Sequence, residues 1–89
     1  MNELTFELMS LYPNPNNGVF ELEITGVHSD KPEAKLYSIT GQHIATFALS
    51  NKDGKVKQTI ELSPKIAAGT YYLGVYDGKQ AAVMQFIKK

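Results

Sequence analysis

The side chains able to do acid–base or metal chemistry are few and scattered. There are two histidines, His28 and His43, in different predicted elements. Neither has a partner at ligand spacing, so both read as surface histidines rather than as bases or metal ligands. Glu21 and Glu23 share one strand face. They alternate with Phe20, Leu22 and Ile24 and so read as a solvated face, not a catalytic pair. No cysteine is present, which removes a disulfide framework, a thiolate zinc site and a cysteine nucleophile together. No glycine-rich phosphate loop, nucleophile elbow or metal-binding helix motif occurs. The expectation is a protein that is not an enzyme and uses no metal or cofactor.

Aromatic side chains offer binding chemistry instead. Tyr72 and Tyr76 flank Gly74 on one face of a run whose other face carries Tyr71, Leu73 and Val75. Such a pair either opens a shallow platform or covers the gap above the glycine. Cover by cross-strand packing is the expected outcome. The absence of tryptophan weakens a sugar-binding reading further.

The elements that must position these residues are short and alternating. A first strand begins at Leu4, Phe6 and Leu8 and continues through Met9 and Leu11 with a break in phase that suggests a bulge. Further strands follow at Phe20–Ile24, Leu36–Ile39, His43–Phe47, Val56–Leu62, Tyr71–Val75 and Gln80–Ile87. Thr40-Gly41-Gln42 and Asp77-Gly78 read as turns between strands. Ser63 to Gly69 suits one helical turn at most, with Pro64 at its first position. This pattern predicts an all-β fold, an immunoglobulin-like antiparallel β-sandwich of about seven strands.

Composition agrees with one small domain. The chain has 89 residues, of which 43% are hydrophobic and 20% charged. A chain of this length buries roughly 60–65% of its unfolded surface, enough for one core without staples. Nine basic residues balance nine acidic ones. A neutral, mixed surface gives no electrostatic footprint for nucleic acid or an anionic membrane. Zero net charge and an exposed strand edge would suit a homodimer. No apolar run approaches the roughly 20 residues of a membrane span. Met1 to Ser10 lack the character of a signal peptide. An exported parent would therefore carry its signal elsewhere, and Met1 reads as a start added to an excised fragment.

The densest local signal is Tyr12-Pro13-Asn14-Pro15-Asn16-Asn17-Gly18. The prolines fix their own φ and bias the residues before them towards extended geometry. Asn17-Gly18 is expected to supply the positive φ values of a tight turn into the strand at Val19. By itself this motif reads as a rigid connection between two strands.

Three further blocks follow it in order. They are Leu36-Tyr37-Ser38-Ile39-Thr40-Gly41-Gln42-His43-Ile44, Leu62 through Gly69-Thr70-Tyr71-Tyr72-Leu73, and Val83-Met84-Gln85-Phe86-Ile87-Lys88-Lys89. Together the four blocks resemble the Por-type, or type IX, C-terminal sorting domain over Leu11 to Lys89. Tyr12, Pro13, Asn14, Pro15, Gly18, Gly41, Gly69 and Tyr71 are the residues that carry the family motifs and are expected to be structural. Two positions depart from the family's pattern: Ser38 stands where an acidic residue is common, and Gln85 where a lysine is common.

The resemblance implies a secretion signal. A signal peptide takes the parent into the periplasm, and type IX machinery then carries it to the outer membrane, cell surface or medium. A sortase-like peptidase cuts upstream of the Tyr12 block, and the cargo is released or attached to lipopolysaccharide. Residues 1–10 would then be the end of the linker from the cargo and the start of the first strand, and 11–89 the sorting domain. The expected recognition residues are Val83, Gln85, Phe86, Ile87, Lys88 and Lys89, on a terminal strand whose edge can add to another sheet. The alternative is an immunoglobulin-like accessory module that binds glycan or protein, because sandwiches host many functions.

Overall fold

Apolar side chains at every second position bury one face of each strand, and this alternation sets the architecture. The computed structural model describes residues 8–78 and 81–89. The expected strand positions at Leu4, Phe6 and Gln80 lie outside these residues. Seven strands occur in the order β1 (Leu8–Tyr12), β2 (Val19–Thr25), β3 (Glu33–Ser38), β4 (His43–Ala48), β5 (Lys55–Glu61), β6 (Gly69–Tyr76) and β7 (Ala81–Lys88). They form two antiparallel sheets, β1-β2-β5 and β4-β3-β6-β7. In the constant-type immunoglobulin arrangement the fourth strand joins the first sheet; here it pairs with β3, giving three strands against four.

The core fills the space between the sheets. β2 contributes Phe20, Leu22 and Ile24, β6 contributes Tyr71, Leu73 and Val75, and Leu36, Val56, Ile60 and Phe86 close the layer. Phe86 packs on Phe20 with ring centroids 5.1 Å apart and on Tyr71 at 6.0 Å. Leu11 from β1 and Leu62 from the β5–β6 connection seal the same cluster.

Connections follow from turn chemistry. Asp53 (φ 55°) and Gly54 (φ 83°) both occupy the left-handed region, and Lys52 and Lys55 exchange backbone hydrogen bonds of 2.8 and 3.0 Å. That is the two-residue hairpin loop whose twist matches the flanking strands. Between β3 and β4, Ser38 accepts from Gln42 N at its Oγ (3.1 Å) and from Gly41 N at its carbonyl (2.9 Å). Serine thus does the turn's work without a carboxylate. The Tyr71 hydroxyl donates to Ala67 O at 2.5 Å, tying β6 back to the connection that precedes it.

Four local expectations are corrected. Pairing of β1 with β2 runs from Leu8↔Thr25 to Tyr12↔Glu21 without a register shift. The bulge lies in β3 instead, between Leu36 and Tyr37. Ile39 belongs to the turn and is 64% exposed, because the Ser38 hydrogen bonds close the turn before it. The Ser63–Gly69 stretch forms a turn held by Ile66 N to Ser63 O (3.0 Å) and not a helix. Finally, Gly18 (φ 105°) takes a positive φ while Asn17 does not. Its turn is closed by Asn16, whose Oδ1 accepts from Gly18 N at 2.9 Å.

Candidate functional site

The stiff Tyr12–Gly18 segment does more than connect β1 to β2: it crosses to the other sheet and lies against the end of β7. Asn16 N donates to Ile87 O at 3.0 Å, and Lys89 N donates to Asn16 O at 2.6 Å. Asn16 thereby pairs with Lys88 as a one-residue parallel bridge. Beside it, Ile87 N donates to Asn14 Oδ1 at 2.9 Å, and Asn14 Nδ2 approaches Gln85 O at 3.5 Å. The sequence explains why asparagines serve here. Pro13 and Pro15 have no N–H to give, so the segment's donors sit on the residues between and after them.

Asn16 is 3% exposed and fully engaged. Its Nδ2 donates to Pro13 O at 3.0 Å, its Oδ1 accepts from Gly18 N, and both backbone groups bond β7. Gly18 O then accepts from Leu62 N at 2.8 Å, anchoring the loop to the β5–β6 connection as well. The Lys88 stem crosses Gly18 so closely that a Cβ there would meet Lys88 Cε at 3.0 Å. Together with the φ of 105°, this leaves glycine as the residue that fits.

Ile87 turns both backbone groups away from β6, so the groups of Gln85, Val83 and Ala81 face the same outer edge. Among the described residues β7 has β6 as its one strand neighbour, and its outer edge is open at Ala81 and Val83, up to the contact of Asn14 Nδ2 with Gln85 O. Side chains of this register also face out: Val83 is 59% exposed, Ile87 is 45% exposed, and Gln85 is exposed. No charged residue occurs from Ala81 to Ile87. Lys89 is exposed and Lys88 half-buried. Phe86 points inward and is 1% exposed, so it contributes by holding the strand down.

Other sequence-predicted residues fall elsewhere. Tyr12 is exposed and its hydroxyl donates to Glu23 Oε1 at 3.3 Å. Gly41 lies in the β3–β4 turn, and Gly69 opens β6 beside Tyr71. Tyr76 covers Gly74 from two residues along its own strand, so that a Cβ on Gly74 would sit 2.8 Å from the hydroxyl. The cover is therefore intrastrand rather than cross-strand. The Tyr76 hydroxyl pairs with that of Tyr37 at 3.2 Å. That hydrogen bond, then partial burial, raises the Tyr76 pKa above its ordinary value. The two rings close over the sheet and do not open a platform. His43 is exposed and bonds Thr46 Oγ1 at 2.8 Å, while His28 is exposed. Among the described residues no three His, Asp or Glu side chains converge to hold a metal ion.

Asn16 is the buried, fully bonded residue of this loop that sequence reasoning passed over. Its turn-forming character was visible, but its partners are residues 87 and 89, which only the folded sandwich brings near.

A family model described as a secretion system C-terminal sorting domain matches residues 10–89. No curated protein matches the chain. The match spans all seven strands except the first two residues of β1, and the family is one of secretion signals rather than of catalysts. The chain belongs to this family, as a C-terminal sorting domain of type IX secretion that engages the secretion machinery and sends the cargo N-terminal to it across the outer membrane, to the surface or beyond.

Proposed function

We propose that the type IX translocon reads this domain by strand addition to the open edge of β7. The outward backbone groups of Ala81 and Val83, unpaired by any strand among the described residues, supply the hydrogen-bonding edge, and Val83, Gln85 and Ile87 supply the side-chain contacts, with Lys88 and Lys89 beside them. The observation that carries the reading is the uncharged edge. Exposed edges are normally blunted by lysine, proline or a bulge, because they template pairing with any other chain. An edge without such protection, in a domain whose work is to be recognised, is a docking edge.

In this reading the parent crosses the periplasm before recognition, and a sortase-like peptidase then removes the domain. The cut falls before Leu8, because a cut within β1 would strip a strand that contributes Leu11 to the core. The motif residues Tyr12, Pro13, Asn14, Pro15, Gly18, Gly41, Gly69 and Tyr71 shape the domain, with Asn16 added to them.

The test is export of a periplasmic fluorescent reporter carrying residues 1–89 at its end. The host has type IX secretion and is compared with a translocon-deficient strain. Val83→Lys puts a charge on the edge without touching the core, and the expected result is reporter held in the periplasm. Normal export of this variant as a folded fusion would remove the edge reading.

A further inference from the structure

The edge of β7 is open over one part and latched over another, and the latch is made by the family motif. Asn14 Oδ1 holds Ile87 N, and Asn16 holds Ile87 O and Lys89 N. We infer that Asn14 is a positioning residue for recognition: its carboxamide, beside the Asn16 bridge, fixes the last residues of β7 in strand register. Translocon and domain then meet on one surface composed of the motif loop and β7. This rests on the reading of β7 as the recognised strand.

Three observations carry the inference. Asn14 is exposed, so its side chain packs no core and its hydrogen bond to Ile87 N is its clearest structural task. The bonded groups lie at the end of the strand, where backbone frays unless tied down. Ile87 is exposed on the same register as Val83, so the direction in which Ile87 points depends on the latch. Without the Asn14 carboxamide, Ile87 N loses its partner on that side, and the Asn16 bridge alone holds the strand end there. Ile87 then samples more orientations, and a partner must order it again on binding. Pre-ordering by Asn14 removes that cost.

The chemistry of the bond supplies a rescue. Asn14 accepts from Ile87 N through Oδ1, and an aspartate at this position keeps that acceptor while giving up the longer Nδ2 contact to Gln85 O. Alanine removes it. The Asn14→Ala and Asn14→Asp variants therefore separate the hydrogen bond from mere substitution.

Two readouts are measured on each variant: amide hydrogen exchange of the purified chain, and export of the reporter fusion, with Val83→Lys run in parallel. For Asn14→Ala we expect exchange at the Ile87 amide to quicken about tenfold or more, since local opening no longer breaks a bond. The β2 and β6 amides should stay protected, and export should fall several-fold. Asn14→Asp should return both readouts towards the parent. Faster exchange at Ile87 with full export would overturn the positioning role, and unchanged exchange would overturn the latch itself. Failure of Asn14→Asp to restore export while it restores protection also overturns it. Normal export of Val83→Lys together with loss in Asn14→Ala keeps the latch and removes only the open-edge reading.

Discussion

The sandwich has two seams where an edge strand of one sheet meets the other sheet, and they are finished differently. At the β4–β5 seam, Gln58 reaches across from β5: its Nε2 donates to Ala48 O at 3.0 Å and its Oε1 accepts from Ser50 N at 3.2 Å. At the β1–β7 seam, Asn14 makes the same kind of two-sided grip on Ile87 and Gln85. One carboxamide, bridging a backbone donor and acceptor, thus stitches each side. The difference is charge. Lys52, Lys55 and Lys57 line an open depression with Gln58 at the first seam, whereas β7 has no charged side chain before Lys88. Lysines keep foreign strands away from an edge. The comparison teaches that strand pairing is discouraged at β5 and left available at β7.

The outer faces of the sheets repeat the contrast. Glu21 and Glu23 of β2 lie beside Lys57 and Thr59 of β5 on the three-stranded sheet. On the four-stranded sheet, Tyr72 lies between Tyr37 and Gln85, and Val83 lies beside Gly74. One face is solvated by charge, and the other presents aromatic and aliphatic surface, with Lys35 over the Tyr76 ring and paired with Glu33.

Several substitutions break or sharpen this comparison. The largest effect is expected at Phe86, where alanine leaves a hole against Phe20 and Tyr71. A loss of about 3–5 kcal/mol is expected in chemical denaturation. It would carry β7 away with the core and abolish export. Asn16→Ala comes next: it leaves Pro13 O and the buried Gly18 N without their side-chain partners. The expected cost is about 1–3 kcal/mol, read by the same denaturation experiment. Gln58→Ala cuts the corresponding stitch at the other seam, where the groups reach solvent more easily. It should cost about 0.5–1.5 kcal/mol, and export should remain intact, which distinguishes a seam that only holds from one that is also read.

The smallest effect is a pH dependence at the Tyr37–Tyr76 pair of the four-stranded face. The Tyr76 pKa is raised, first by its hydrogen bond with Tyr37 and then by burial, so the folded protein holds that proton more tightly than the unfolded chain does. This contribution is fully present below the ordinary tyrosine value of 10.0. It is lost as pH rises through the higher folded value. Denaturation midpoints measured below and above pH 10 should therefore fall less in Tyr76→Phe than in the parent.

Strand identity was legible because burial follows alternation, as at Phe20, Leu22 and Ile24. Legibility failed where the buried residue is small or the boundary is made by a hydrogen bond. β3 begins at Glu33, earlier than its alternation suggests, since Ala34 between Glu33 and Lys35 is a weak apolar signal. Ile39 looks like strand and is turn. At the candidate site, the period of two set Val83, Gln85 and Ile87 on one face of β7 and Met84 and Phe86 on the other, without deciding which face is outward. The latch could not be read. Alternation tells which face a side chain takes but not which backbone waits on the far side of the sandwich, and Asn14 and Ile87 are 73 residues apart. The tyrosines around Gly74 show the same limit: their covering role was readable, but the partner Tyr37 comes from another strand.

The central claim is that charge on an edge strand matters at β7 and not at β5. A paired export measurement tests it most directly: Val83→Lys on β7 against Lys57→Val on β5, each in the reporter fusion. Both domains should remain folded, with stability changed by about 0.5 kcal/mol or less. The account predicts periplasmic retention of the first and normal export of the second. Equal export of both variants, or retention of the Lys57→Val fusion alone, would contradict it.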